Sequence, residues 1–132
     1  MNFEDTEAEA QFRAKARAWI AANAPAELEP ILRAASYGTL SMAPEERIRH
    51  SRAWQARKAE AGYACPHFPK NLGGGGLSPI ERIIWTQEEG VYEQLSKVFT
   101  IGQGFCGPTI LAWGCDAMKQ ERIPPLVDGR EI

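Results

Sequence analysis

The chain has 132 residues, of which 44% are hydrophobic and 24% are charged, and this composition is typical of a single globular domain. Its net charge of −2 and pI of about 5.7 offer no electrostatic attraction for nucleic acid or for an anionic membrane. No apolar run approaches the roughly 20 residues of a membrane span, and the acidic N-terminus lacks the apolar core of a secretory signal.

The cysteines give no sign of metal or redox chemistry. Cys65, Cys106 and Cys115 are too widely spaced for a Cys-x-x-Cys motif. We expect all three to be buried free thiols in a reducing cytoplasm. His67 lies close to Cys65, but the neighbouring prolines hold this segment extended, which disfavours a Cys–His nucleophile. The sequence therefore predicts no metal site, no catalytic residue and a cytoplasmic location.

The first helix is predicted to run from Thr6 to about Asn23. Thr6-Glu7-Ala8-Glu9 is a capping box, and Ala24-Pro25 ends the helical pattern. One face carries apolar residues at helical spacing: Ala8, Phe12, Ala16, Trp19 and Ile20. We interpret this stripe as core packing rather than a ligand pocket.

The next two segments differ in clarity. Between residues 26 and 43 the pattern predicts only one helical turn around Leu28, Ile31 and Leu32, and a loop at 37–39. A second long helix is predicted from Pro44 to Ala61, with Gly62 as its stop. Its apolar spacing is poor and it is rich in basic residues, so we interpret it as a largely solvated helix.

A proline- and glycine-rich loop, residues 65–77, separates this helix from the next. Glycine-rich loops before helices can cradle phosphate, but no Lys follows Gly76 as in a P-loop. The prolines before the glycines also disfavour the strand that a dinucleotide fold requires. We therefore predict that Gly73–Gly76 forms a tight turn between helices.

A third helix is predicted from Pro79 to about Lys97. Ser78-Pro79-Ile80-Glu81 forms its capping box. Its predicted apolar stripe contains Ile80, Ile83, Ile84, Val91 and Leu95. Glu88-Glu89 invites a general-base interpretation, but adjacent helical residues point about 100° apart. We therefore interpret both glutamates as structural.

The segment from Phe99 to Trp113 is apolar on every side of any helix drawn through it. Such a helix needs burial on every side, which a domain this small cannot supply. The segment therefore predicts a partner surface, either another domain or another chain. Asp116 is predicted to cap a last helix that Pro124-Pro125 interrupts, and Asp128-Gly129 is predicted to form a turn.

One set of motifs recurs together in a known family. Its members are the residues from Ala61 to Glu89, Phe99-Thr100-Ile101-Gly102-Gln103-Gly104, Cys106-Gly107-Pro108-Thr109, Gly114, Lys119 and Pro124-Pro125-Leu126. Their order resembles the N-terminal helical domain of acyl-CoA dehydrogenases, the flavoenzymes that desaturate acyl-CoA thioesters. The resemblance covers nearly the whole chain and is loosest at 27–43.

Both the pattern and the resemblance predict an all-α fold, a small helical bundle spanning residues 1–132. The resemblance implies that the β-domain that holds FAD and the C-terminal helical domain, which supplies the catalytic carboxylate, are absent from this chain. FAD would then belong to the complete enzyme and would not be retained by this chain alone. Ile101, Gly104, Phe105 and Pro108 would face the acyl chain of an acyl-CoA substrate.

Two interpretations of function follow. In the first, the chain is part of an FAD-dependent acyl-CoA dehydrogenase, inactive alone, that packs against the missing domains or a partner subunit. In the second, it is a non-enzymatic helical module of a heteromeric complex. Both predict that the isolated chain self-associates through the Phe99–Trp113 segment.

Overall fold

The fold is all-helical, as predicted. The computed structural model describes residues 4–35 and 40–132, and within those ranges every regular element is a helix. The α-helices are α1 (Glu7–Asn23), α2 (Glu29–Ala34), α3 (Pro44–Ala61), α4 (Pro79–Glu89), α5 (Glu93–Ser96), α6 (Gly107–Trp113) and α7 (Asp116–Val127). Short 3-10 turns occupy Ala26–Leu28, Lys70–Leu72, Gly90–Tyr92 and Lys97–Phe99, and a π-helical turn, Gly102–Cys106, leads directly into α6. The loop predicted at 37–39 lies outside the described residues.

The helix α1 has the predicted bounds and packs along α4. Thr6 accepts a hydrogen bond from the Glu9 N–H, and the Glu9 carboxylate accepts one from the Thr6 N–H, which confirms the capping box. Aromatic side chains from four segments fill the core beneath α1. Within this cluster Tyr63 stacks on Trp85, with ring centroids 4.1 Å apart, and Trp19 packs on both rings.

The second long helix, α3, also has the predicted bounds and ends at Gly62, whose φ is +79°. Its buried residues are Ser51, Trp54, Gln55 and Lys58, which recur at helical spacing. Three of these four side chains are polar. The apolar pattern of this helix is poor because its inward stripe is polar, and the helix is not simply solvated.

The predicted third helix is wrong in its length and partly wrong in its buried face. Helix α4 ends at Glu89, because Gly90 adopts φ +54° and ψ −124°, a conformation that residues with a Cβ rarely adopt. Ile84 of the predicted stripe is buried, whereas Ile80 and Ile83 are exposed. The side of α4 that faces inward instead includes the charged residue Glu89.

The last helix corrects two predictions. Cys115, not Asp116, occupies the N-cap position, and α7 runs through Pro124-Pro125 to Val127 without interruption. The proline carbonyls still accept hydrogen bonds, from the N–H groups of Asp128 and Glu131. The two prolines lie in the final turn of α7 and have no N–H groups to donate to the preceding turn. The buried residues of α7 hold this final turn in place. The turn at Asp128-Gly129 is confirmed, with Gly129 at φ +82°.

Candidate functional site

A cleft of about 480 Å³ lies between the loop that follows α3 and the part of the chain that runs from α4 to the start of α6. One wall comes from the loop around Cys65 and His67, and the opposite wall comes from α4, α5 and the π-helical turn. Lys58 and Glu89 also line the cleft and are almost fully buried, so they form its floor.

The Gly73–Gly76 loop is a tight turn, as predicted, and does not line the cleft. Its N–H groups are used internally: Gly74 donates to the Pro69 carbonyl at 3.0 Å and Gly76 to the Phe68 carbonyl at 2.9 Å. A Cβ on Gly74 would lie 2.3 Å from the Phe68 carbonyl oxygen, so the backbone needs glycine there. Because the donors are already paired, the loop does not fit the pyrophosphate of a flavin nucleotide.

A buried ion pair forms the floor of the cleft. Lys58 Nζ donates to Glu89 Oε1 at 2.8 Å and to Ser96 Oγ at 2.7 Å. Trp54 Nε1 donates to the same Glu89 oxygen at 2.9 Å. The Lys58 and Glu89 side chains are only 5% and 7% exposed. A buried charge pair is stable only when further hydrogen bonds support it, and Trp54 and Ser96 supply them.

The two adjacent glutamates of α4 serve different partners. Glu89 points to α3, whereas Glu88 binds Arg13 and Arg17 of α1 at 3.1 Å and 2.8 Å. The Arg17 guanidinium, followed by Arg13, holds the pKa of Glu88 below its usual range, despite the opposing effect of burial. The two carboxylates therefore do not form an acid–base pair, as predicted.

Two charged side chains at the mouth of the cleft have no ion-pair partner within the described ranges. Arg82 and Glu93 both line the cleft, and neither side chain forms a hydrogen bond or salt bridge there. His67 lies nearby with its ring edge-on to Phe68. Burial, and then the charge of Arg82, lower the pKa of His67, so its ring is neutral at neutral pH.

The four predicted wall residues fall on two faces of one helical segment. Gly104 and Pro108 line the cleft, together with Gln103. Ile101 and Phe105 are 72% and 68% exposed and do not line it. Residues four apart lie above one another on a helix, so Gly104 is grouped with Pro108, and Ile101 is grouped with Phe105. Gln103 Nε2 also donates to the Leu126 carbonyl at 2.8 Å, which anchors the π-helical turn to α7.

The predicted burial of all three cysteines is wrong for two of them. Cys65 is buried, but Cys106 and Cys115 are exposed. They belong to the same outward-facing stretch as Phe105 and Trp113, where this chain alone provides no cover. Burial raises the pKa of Cys65 to about 12, with Lys58 opposing the shift, so its thiol stays protonated and is no nucleophile.

The floor of the cleft was missed from the sequence. Lys58 reads as one of many basic residues on α3, and Glu89 as one of an adjacent acidic pair. One signal was available in the sequence. Four residues of α3 share one face, and Trp54, the large apolar residue among them, indicates that this face is buried: Ser51, Trp54, Gln55 and Lys58.

Large apolar side chains are exposed beyond the cleft. Four of them lie in the stretch from just before the π-helical turn to the first turn of α7: Ile101, Phe105, Trp113 and Met118. Trp113 is 87% exposed. We call these four residues the exposed apolar set. Such exposure is typical of surfaces that another protein covers. No helix in the described part of the chain is long and apolar enough to cross a membrane.

Comparison with known proteins places this arrangement in context. The family model described as acyl-CoA dehydrogenase, N-terminal domain, matches residues 6–130. The chain is 33% identical over 122 residues to acyl-CoA dehydrogenase IpdE1 of Mycobacterium tuberculosis, covering 92% of this chain and 31% of that protein. It is 30% identical over 122 residues to IpdE1 of Mycolicibacterium smegmatis, covering 92% of this chain and 30% of that protein. The chain thus spans under a third of these relatives.

The crystal structure of the ChsE4-ChsE5 complex from Mycobacterium tuberculosis has a similar fold. The TM-score is 0.64 at 21% sequence identity, over 98% of this chain and 30% of the matched chain. At this identity the likeness shows the fold of the helical domain.

Proposed function

The chain belongs to the acyl-CoA dehydrogenase family through its N-terminal domain, and on that premise we propose that it forms one wall of the acyl pocket of an FAD-dependent acyl-CoA dehydrogenase. The whole protein would oxidise an acyl-CoA thioester between its α- and β-carbons, and FAD would supply the hydride acceptor. This chain would bind and orient the acyl group, while the catalytic carboxylate and the flavin site would lie in other parts of the protein.

The observation that carries this proposal is the cleft beside the π-helical turn. Gly104 and Pro108 stand on one helical face and leave open a space of about 480 Å³. A Cβ on Gly104 would meet nothing closer than Thr100 Cγ2 at 4.0 Å, so glycine is not required there by packing within this chain. An open cleft at this glycine supports a role in accommodating a ligand.

Ile101 and Phe105 would serve the acyl pocket only where the rest of the protein completes it. They do not line the cleft and belong to the exposed apolar set. We propose that the later domains or a partner subunit cover this set and bring a second wall against the cleft.

The proposed function is tested by narrowing the cleft. Gly104→Phe, made in the complete protein together with every chain that purifies with it, would place a ring in the cleft. The matched control is Ala18→Phe, at an exposed position of α1 that lies outside the cleft lining and outside the exposed apolar set. Turnover is followed by acyl-CoA-dependent reduction of an artificial electron acceptor.

We expect Gly104→Phe to lower kcat/KM for a long acyl-CoA by about tenfold or more and for a short one by much less, because only the long chain reaches the wall. Ala18→Phe would leave both values near those of the parent protein. Equal effects of the two substitutions, or no acyl-CoA turnover by the parent protein, would contradict the proposal.

The second candidate function is a non-enzymatic helical module of a heteromeric complex. The observation that favours it is the exposure of Trp113 and the rest of the exposed apolar set. The solved structure that this fold resembles is also a complex, that of ChsE4 with ChsE5. A purified complex that contains this chain and binds no flavin would support the module and exclude the dehydrogenase.

A further inference from the structure

A second pocket lies at the start of α3, away from the cleft. We propose that it binds a small aliphatic carboxylate, with the hydrocarbon tail between its apolar walls and the carboxylate on the guanidinium of Arg47. This pocket, which we call the Arg47 pocket, shares no lining residue with the cleft. The inference therefore stands independently of the proposed function.

The walls of the Arg47 pocket are apolar. The pocket has a volume of about 260 Å³ and is lined, besides Arg47, by Met42, Pro44, Ile48, Val98 and Ile132. Ile48 and Ile132 are large hydrophobic residues that are exposed, so the pocket opens to solvent. Ligand sites typically combine apolar walls with a few placed polar groups, and those for drug-sized ligands measure about 300–1,000 Å³. The Arg47 pocket therefore suits a smaller ligand with an aliphatic part.

The guanidinium of Arg47 supplies the charge of this lining. Its Nε is buried, and within the described residues it has no hydrogen-bond acceptor. Glu46, its neighbour in sequence, lies instead within ion-pair distance of Arg49 and His50. A buried guanidinium N–H without an acceptor is unfavourable, and a carboxylate is the group that accepts from it most strongly. The unused donor therefore indicates an anionic ligand.

The apolar walls decide which kind of anion fits. A phosphate carries up to two charges, and the lining described here offers it one cation among apolar side chains. The second charge would then lose water without gaining a partner. A carboxylate carries one charge, which Arg47 can neutralise, and an aliphatic tail would fill the rest of the pocket.

Arg47 ends a buried polar side of α3. Arg47, Ser51 and Gln55 are four residues apart and lie on one side of the helix. The Ser51 Oγ and Gln55 Oε1 atoms are also buried without a partner in the described part of the chain. Arg47 lines the pocket, whereas Ser51 and Gln55 do not. A ligand that enters from solvent therefore reaches this polar side at Arg47.

The walls are already in place without a ligand. Ile132 lies against Gly102, where a Cβ would be 3.5 Å from the Ile132 carbonyl carbon. The Glu131 N–H donates to the Pro125 carbonyl at 3.0 Å, which holds the preceding residue to α7. Met42 packs against the core beneath α1. Because these contacts fix the walls, a ligand would not have to order them.

The test measures hexanoate binding to the complete protein, with every chain that purifies with it, by ligand-observed NMR titration. Butanoate shortens the tail, and 1-hexanol and hexylamine replace the anionic head. Arg47→Met removes the guanidinium, and Arg49→Met, at an exposed position of α3 outside the lining, is the matched control. Ile48→Trp would fill the Arg47 pocket, and Gly104→Phe would fill the cleft. The melting temperature of each ligand-free variant shows whether it is folded.

We expect hexanoate to bind saturably and about tenfold or more tightly than 1-hexanol or hexylamine, because only the carboxylate accepts from Arg47 with opposite charge. Each CH₂ added from butanoate to hexanoate should tighten binding by about fourfold. Arg47→Met should weaken hexanoate binding by about tenfold or more, and folded Ile48→Trp should abolish it. Arg49→Met and Gly104→Phe should leave the Kd unchanged.

Three results would overturn the inference. They are no saturable binding of hexanoate, binding of 1-hexanol or hexylamine as tight as that of hexanoate, and a Kd that Arg47→Met does not raise. Loss of binding in Gly104→Phe but not in Arg47→Met would place the carboxylate in the cleft, and this too would overturn the inference. Because the assay follows binding and not turnover, none of these results bears on the proposed function.

Discussion

Two regions of the molecule meet their packing requirements in different ways. Between α1, α3 and α4, even charged side chains are buried with partners, as the Lys58–Glu89 pair shows. Between the π-helical turn and α7, large apolar side chains such as Phe105 and Trp113 remain exposed. The interior of the first region is buried within the chain, although Ile80 and Ile83 on α4 remain exposed. The second has the composition of a core but lacks the surface that would bury it, which suggests that another part of the protein or another chain supplies it.

The largest expected effect tests whether the first region depends on its buried charges. Lys58→Met would leave the Glu89 carboxylate buried without its counter-charge and lower the free energy of unfolding by about 3–5 kcal/mol. In contrast, Arg33→Met, which breaks the exposed pair with Glu29, would lower it by less than about 1 kcal/mol. Urea denaturation measures both.

A double variant sharpens the same result. Adding Glu89→Gln to Lys58→Met removes the orphaned charge while keeping an acceptor for Trp54, so most of the lost free energy of unfolding should return. If Lys58→Met costs no more than Arg33→Met, the buried pair does not stabilise the first region.

Two glycines of the second region show how closely its inner and outer sides are packed. A Cβ on Gly107 would lie 2.6 Å from Cζ of the fully buried Phe68, so Gly107→Ala should lower the free energy of unfolding by about 1–3 kcal/mol. A Cβ on Gly104 would contact only Thr100 Cγ2, at 4.0 Å, so Gly104→Ala should stabilise the helix by up to about 1 kcal/mol. Thermal unfolding of the two variants measures the difference, and equal melting temperatures would show that the inner side is not closely packed.

A smaller effect concerns the contact between α1 and α4. The folded-state pKa of Glu88 lies below its unfolded value, so this carboxylate stabilises the fold at neutral pH. That stabilisation is lost as the pH falls through the depressed folded pKa. We expect Glu88→Gln to lower the free energy of unfolding at neutral pH and to weaken its decline in acid, measured by denaturation across an acidic pH series. An unchanged decline would assign the acid sensitivity to other carboxylates.

The smallest perturbation uses the cysteines as reporters of the two regions. Cys106 and Cys115 should react quickly with an aromatic disulfide reagent in the folded monomer, where no second copy covers them. Cys65 should react only on unfolding, because it is buried and burial raises the pKa of its thiol to about 12. Alanine substitution of each cysteine assigns the reactive thiols, and fast labelling of Cys65 would contradict its burial.

The sequence predicted best where local chemistry alone decides the structure. The capping boxes at Thr6 and Ser78 and the stop at Gly62 depend only on neighbouring residues, and all three are confirmed. The break at Gly90 could not be read in the same way, because a glycine inside a helical pattern is often tolerated.

The floor of the cleft could not be predicted because its partners are far apart in the chain. Lys58 and Glu89 are 31 residues apart, and only tertiary packing brings them together. Ile80 and Ile83 belong to the predicted apolar stripe but stay exposed, whereas the charged residue Glu89 is buried. A prediction from apolar periodicity misses such faces, because part of the buried surface of α3 and α4 is polar.

The most direct test of the two-region account is the mass of the purified chain by light scattering, recorded with its absorbance spectrum. We predict a colourless dimer or larger species that dissociates when Phe105 and Trp113 are both replaced by serine, because these side chains would be the ones that self-association covers. A monomeric parent chain would contradict the account of an uncovered second region, and a stoichiometric flavin band would contradict the assignment of FAD to the rest of the protein.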